Sequence, residues 1–442
     1  MRDSAVRGVP GRTLARDPLR RHVSRSADRD GLLRAVVCAY AASLPTELFS
    51  LPIGVSLSTV TGALVLIVWT IVQLRDGGFR QFRLGTAGLA ATTYWLWALL
   101  MSAGATDPGL AVKWVYSTGA LVITTIALAS VIGSFWRQAV AWFAGVATIV
   151  AAALLASPLD PTRGDRAALA GADENATAFI LVVAFAADIY FVLHLSGWRR
   201  LGWVTAGIIA GAATLHSGSR SGALGLIAVM LTVVLTTFLS ARRAPNRRSI
   251  AVPLILLVGL VATYEVLVAA SLVPQRVFSV FSDVSTGADA GRSAIWAEYS
   301  THMSDWILTG VGPGNDATYL ALTTGEFRNV HNLLGRAWVE LGLIGMLLLL
   351  ALLVATTARG IRSPARAFLA LALGPLAIFA WTLGGDTSNV LWFVAALAWM
   401  LPAECARPDP AAPGVHTRRL EAPYDSAGDP PSGAHSRTGR IR

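Results

Sequence analysis

Residues 175–197 read NATAFILVVAFAADIYFVLHLSG, a run in which Asp188 is the only acid and no lysine or arginine occurs. Wound as a helix at about 1.5 Å per residue, such a run crosses a hydrocarbon core of about 30 Å. Eleven blocks of similar character accompany it, at 32–51, 55–74, 85–104, 112–133, 139–157, 203–217, 221–240, 250–271, 332–356, 367–384 and 388–405. The block at 203–217 is short for a span. The pattern predicts an all-α, polytopic membrane protein with about twelve transmembrane helices.

Composition agrees. Only 14% of the 442 residues are charged and 54% are hydrophobic, against about 25% charged in a soluble domain. Mean hydropathy is +0.57. These values exclude a soluble enzyme and a disordered chain. The net charge of +10 comes from 35 arginines and Lys113 against 26 acids, and the arginines sit between the apolar blocks. Connections of one parity, together with both tails and Arg34 at the start of the first span, hold 28 of the 36 basic residues, so by the positive-inside rule both termini are cytoplasmic. That explains the basic balance without nucleic acid. The two cysteines, Cys38 and Cys405, offer no disulfide framework and no metal site.

Residues 1–31 are Arg-rich and lack the apolar core of a signal peptide, so they read as a basic cytoplasmic tail. Residues 32–405 form the transmembrane domain. Residues 406–442, rich in Pro, Gly, Ser and Arg, read as a disordered cytoplasmic tail. Two outward connections exceed short turns: the polar stretch 158–174, and 272–331 between the ninth and tenth helices. Outer segments of the latter size are usually functional. Within it, Ile295, Tyr299 and Met303 have near-helical spacing and predict an amphipathic helix from Arg292 to Trp306. Gly310-Val311-Gly312-Pro313-Gly314 predicts a tight irregular turn.

The residues suited to chemistry lie on the outward side. Ser219-Arg220 stands between the seventh and eighth spans. Small neighbours leave that guanidinium open to a phosphate, which arginine binds bidentately, although a helix-end arginine also simply snorkels. Arg276, Arg292 and Arg328 share the same side, where basic residues are scarce; each alone reads equally well as a solvated charge. His331-Asn332 stands where the chain re-enters the membrane. Asn332 suits a helix cap, and the imidazole of His331 suits a general base or a buried structural role. His216 and His302 compete for the base. Arg336 and Glu340, four residues apart, most simply neutralise each other. Asp188 and Glu265 lie inside spans, where acids are functional suspects or pair with a neighbouring helix. No outward acid cluster suggests a metal.

In this order and spacing, Ser219-Arg220, Arg292 with Trp296, Gly310 to Asn315, His331-Asn332-Leu333-Leu334 and Glu340-Leu341-Gly342-Leu343-Ile344-Gly345 resemble the O-antigen ligase and O-antigen polymerase superfamily. The resemblance covers roughly residues 175–350, with Asn175 a further family-like position. It implies a membrane glycosyltransferase at the outer face of the plasma (inner) membrane. Such an enzyme transfers or polymerises a glycan from a polyprenyl-(pyro)phosphate carrier onto a hydroxyl of a glycan or lipid-anchored acceptor. Carried onto this chain, Arg220 and Arg292 would hold the carrier phosphates, and His331 would deprotonate the acceptor, with inversion. Arg276, Arg328 and Asn332 would assist binding, and neither metal nor cofactor is called for. The rival is a secondary transporter or anion channel using Asp188, Glu265 and Arg220, which would place its site near the bilayer midplane.

Overall fold

The computed structural model describes residues 18–47, 49, 55–75, 84–159, 167, 169, 173–243, 292–325, 327–382 and 388–400, with shorter runs between 257 and 277. Among these residues no β-strand occurs. The first helix, α1 (Pro18–Ser43), starts within the stretch expected to be tail. It ends before Pro45, which lies in a 3-10 turn, Leu44–Thr46, because a proline lacks the N–H that a continuing helix needs. There follow α2 (Leu57–Arg75), α3 (Thr86–Met101), α4 (Pro108–Val131), α5 (Trp136–Leu155), α6 (Glu174–His194), α7 (Trp198–His216) and α8 (Arg220–Arg243). The segment expected to be outer carries α9 (Arg292–Thr301), α10 (Met303–Trp306) and α11 (Asp316–Thr324), and α12 (Leu333–Gly360), α13 (Arg366–Thr382) and α14 (Asn389–Trp399) follow it.

Each expected span except the ninth overlaps one of these helices, although α1 ends at Ser43 within the first, and parts of the first, eleventh and twelfth lie outside the described residues. The ninth lies partly outside the described residues, which include apolar helical stretches between Leu257 and Val266. The expected C-terminal tail, 406–442, and most of the polar stretch 158–174 also lie outside them. Among the described residues six helices are long and apolar enough to cross a membrane: α2, α4 with its extension to Ser134, α5, α6, α8 as far as Leu239, and α12. The protein is an all-helical, multi-pass membrane protein.

The run that opened the sequence becomes the centre of the bundle. In α6 every residue from Thr177 to Val192 is buried, as expected for a helix that is apolar on all sides. Asp173 starts it, accepting the N–H groups of Asn175 (2.9 Å) and Ala176 (2.8 Å). Around α6 pack α5, α7, α8 and α13. The peripheral helices α2 and α8 turn Leu64, Ile67, Ile71, Leu231 and Leu235 outward, the surface a lipid solvent requires.

The decisive departure from regularity is in α12. At Gly342 the backbone takes φ 70° and ψ −174°, and the helix breaks. The outer segment docks there: Val311 N–H donates to Val339 O and Gly312 N–H to Glu340 O, each at 2.9 Å, and Leu343 N–H donates to Ile307 O at 2.9 Å. From the other side Trp97 Nε1 donates to Leu341 O at 2.9 Å. The expected glycine turn is present, with positive φ at Gly310, Gly312 and Gly314. A Cβ on Gly310 would overlap the Glu340 carbonyl, and one on Gly312 would overlap Ala105.

The expected helix from Arg292 to Trp306 is two helices, because the chain turns at His302. The predicted apolar face is nevertheless the buried one. Tyr299 and Trp306 pack with Leu320, Val330 and Val339, with Ile295 and Met303 against them.

Gly342→Ala tests the break. Its φ and ψ are essentially glycine-only, costing a side chain about 1–3 kcal/mol, and a Cβ would also strike the Leu308 carbonyl. The thermal midpoint in detergent should fall by several degrees. Gly145→Ala on α5, where a Cβ meets nothing, should hold or raise it.

Candidate functional site

Two parts of the structure carry the residues singled out by sequence. The first is the turn from α7 to α8. Gly218 (φ 72°) reverses the chain. Ser219 then caps α8, its Oγ accepting Gly222 N–H at 3.1 Å while donating to Asn175 Oδ1 at 2.8 Å. Asn175, at the start of α6, therefore fixes the serine that fixes Arg220. A Cβ on Gly222 would come within 2.8 Å of Thr214 Cγ2 and 2.9 Å of Ala178 Cβ, so α6, α7 and α8 meet without slack. Arg220 is the first residue of α8 and is half-buried. A guanidinium beside the positive end of a helix suits an anion.

One candidate base falls away here. His216 is fully buried, with Nδ1 2.7 Å from Leu272 O and Nε2 3.0 Å from Ser157 O. Both ring nitrogens face backbone carbonyls, so His216 ties the ends of α5 and α7 to the start of the outer segment. Neither nitrogen is open to a substrate.

The second structure surrounds His331. Asn332 caps α12 as expected, Oδ1 accepting Gly335 N–H at 2.8 Å. His331, one residue earlier, is exposed, as is Arg328. Arg336 Nε meets Glu340 Oε1 at 2.7 Å, the expected i,i+4 pair. The structure adds a third member, the buried Asp316, whose Oδ1 lies 3.7 Å from Arg336 Nε. Its Oδ2 accepts the N–H of Val330 at 2.9 Å. Asn315, also buried, accepts Asp107 N–H at 2.7 Å and donates to Asp107 O at 3.2 Å and to Pro313 O at 3.0 Å. Sequence reading took Asn315 only as the end of a glycine motif and missed Asp316. The available signal was an Asn-Asp pair directly after three glycines.

Arg292 begins α9, and its side chain, like all of Arg276, lies outside the described residues. Its helix packs beside the histidine segment: a Cβ on Gly335, in the first turn of α12, would overlap the Trp296 ring. The outer rim carries a further pair, Tyr319 donating to Asp305 Oδ2 at 2.8 Å. That bond, with a second from Ser304, holds the Asp305 carboxyl below its ordinary range, while burial and Asp305 push the Tyr319 phenol up. Of the suspected membrane acids, Asp188 is fully buried and neither carboxyl oxygen has a hydrogen-bond partner among the described residues, whereas Glu265 is exposed.

Removing Arg336 should be costly, because Asp316 and Glu340 are each 1% exposed and would lose their shared cation. Arg336→Met should destabilise by about 3 kcal/mol, the low end for a broken buried pair since Arg336 is itself 20% exposed. Arg336→Met with Glu340→Leu should recover part of that loss. Denaturation of both variants in one detergent gives the comparison.

Residues 205–350 match the family model described as O-Antigen ligase, from within α7 through the glycine turn and His331 to beyond the break in α12. No curated protein matches the chain. It is this stretch, which contains every contact at the α12 break except those from Trp97 and the α3–α4 turn, that is similar to the O-antigen ligase superfamily.

Proposed function

We propose that the protein transfers or polymerises a glycan from a polyprenyl-(pyro)phosphate carrier onto an acceptor hydroxyl, on the outer face of the plasma membrane, with both termini cytoplasmic and about twelve spans. The observation that carries this reading is the pairing of the O-antigen ligase match with an exposed His331 on a firmly held segment. His216, buried with both ring nitrogens against backbone carbonyls, is set aside; between His302 and His331 the reading takes His331, because it lies in the His331-Asn332-Leu333-Leu334 stretch that resembles the family.

The reaction assigns each residue a task. Arg220 and Arg292 bind the carrier phosphates and meet the negative charge that grows as the glycosyl–phosphate bond breaks. Arg276 and Arg328 add attraction, and Asn332 fixes the first turn of α12. His331 takes the proton of the acceptor hydroxyl as its oxygen bonds to the anomeric carbon; the electron pair of the broken bond leaves with the phosphate. Attack opposite the leaving group inverts the anomeric centre. The donor bond supplies the driving force, so the scheme calls for neither nucleotide nor metal.

An apolar cleft of about 390 Å³ between α12, α13 and α14, lined by residues including Leu333, Leu353, Leu373, Leu376 and Trp392, supports a lipid-linked donor. Its volume is in the range of small-ligand pockets, enough for a segment of a polyprenyl chain. Leu333, two residues after His331, is part of its wall.

Reconstituted with a polyprenyl-pyrophosphate oligosaccharide and acceptor, the protein should release carrier pyrophosphate. His331→Ala should lower turnover by about 10²–10⁴-fold while donor binding persists. Arg220→Lys should lose most turnover despite keeping its charge, because a lysine cannot make the bidentate contact. Near-normal release from either variant refutes its assigned role. Asp188→Asn should leave transfer intact; loss of a proton-coupled flux in that variant, with no transfer in the parent, would establish the transport reading instead.

A further inference from the structure

We infer that Asp316 is a positioning residue for the transfer reaction: its buried carboxylate clamps the backbone immediately before His331 and so sets the place of the proposed base. The inference rests on the function proposed above for His331. Its evidence is separate and geometric.

Asp316 is 1% exposed. A buried carboxylate is costly unless it is well paired, so its short contacts indicate what it is for. Arg336 is not the main one: that cation already has Glu340 at 2.7 Å, and Asp316 stands 3.7 Å away. The short bond, 2.9 Å, is from Val330 N–H to Asp316 Oδ2. A charged acceptor holds an amide roughly twice as strongly as a neutral one, and this amide belongs to the residue before His331. The chain from 327 to 331 is not helical, so this bond, with the Asn332 cap one residue beyond His331, brackets the histidine from both sides.

Asp316 is itself immobilised from three directions. Its carbonyl accepts the Tyr299 hydroxyl at 2.7 Å, from α9. The preceding Asn315 side chain grips the backbone of Asp107 at the start of α4. Arg336 and Glu340 approach it from α12. The clamp therefore refers His331 to α4, α9 and α12 at once, rather than to a free loop. A base displaced by about 1 Å from its reacting hydroxyl loses roughly 100-fold in rate, which is the reason to spend a buried charge on one amide.

The test compares Asp316→Ala, which removes the acceptor, with Asp316→Asn, which keeps an amide oxygen for Val330 N–H. Hydrogen exchange of the peptide spanning 327–333 should quicken in Asp316→Ala and stay slow in Asp316→Asn. In the reconstituted transfer assay, Asp316→Ala should lose roughly 10–100-fold in kcat with donor KM unchanged, and Asp316→Asn should stay within about threefold, the worth of weakening one hydrogen bond. Wild-type kcat in Asp316→Ala, unchanged exchange, or equal loss in both variants overturns the positioning role. His331→Ala in the same assay separates the two ideas: full turnover there would refute the assigned base, while the exchange result would still report on the clamp.

Discussion

A helix interrupted among apolar neighbours leaves backbone donors and acceptors that lipid does not satisfy, and the outer half of this protein is organised around one such interruption. At Gly342 the carbonyls of Val339, Glu340 and Leu341 and the amide of Leu343 find partners outside their own helix. Three of the four partners, Val311, Gly312 and Ile307, come from the outer segment, so that segment is bonded into the spanning helix it precedes. Trp97 from α3 supplies the fourth. The glycines follow from this arrangement, since backbone approaches backbone with no room for a Cβ at Gly310, Gly312 or Gly342.

The same junction gives the histidine segment its rigidity. The glycine turn delivers Asn315 and Asp316 to the top of α12, and they carry the tie to Asp107 and the tie to Val330. Tyr299, Trp306 and Val339 fill the space beneath. A reacting hydroxyl needs a base held to within a fraction of an ångström. Under the proposed function, the hold on His331 would trace to a break in a membrane helix rather than to the residues nearest it.

What was legible in the sequence was what is local. Hydropathy marked the spans because burial in lipid and burial in protein both select apolar side chains; for the same reason it could not show that α6 is enclosed while α2 is peripheral. The Asn332 cap and the Arg336–Glu340 pair were readable because they close within four residues. The start of α7 at Trp198 was missed since Arg199 and Arg200 lower the hydropathy without opposing a helix. The turn at His302 likewise leaves the apolar spacing nearly intact. The side-chain partners of Asn175, His216 and Asp316 lie 14 or more residues away in the chain, and no periodicity encodes them.

Arginine fills 35 of the 36 basic positions, so in this chain the choice of arginine over lysine says little about any one site. Placement has to carry the argument. Arg199 and Arg200, at the start of α7, sit where the positive-inside rule alone explains them. Arg220 does not: it lies on the side poor in basic residues, on the first turn of a helix whose cap is held by Asn175 from a second helix and packed against Thr214 of a third. A snorkelling charge needs none of that support. The phosphate role proposed for Arg220 would use it, because phosphate oxygens would meet the guanidinium and the positive end of α8 together, and the closed junction of α6, α7 and α8 keeps the two in register.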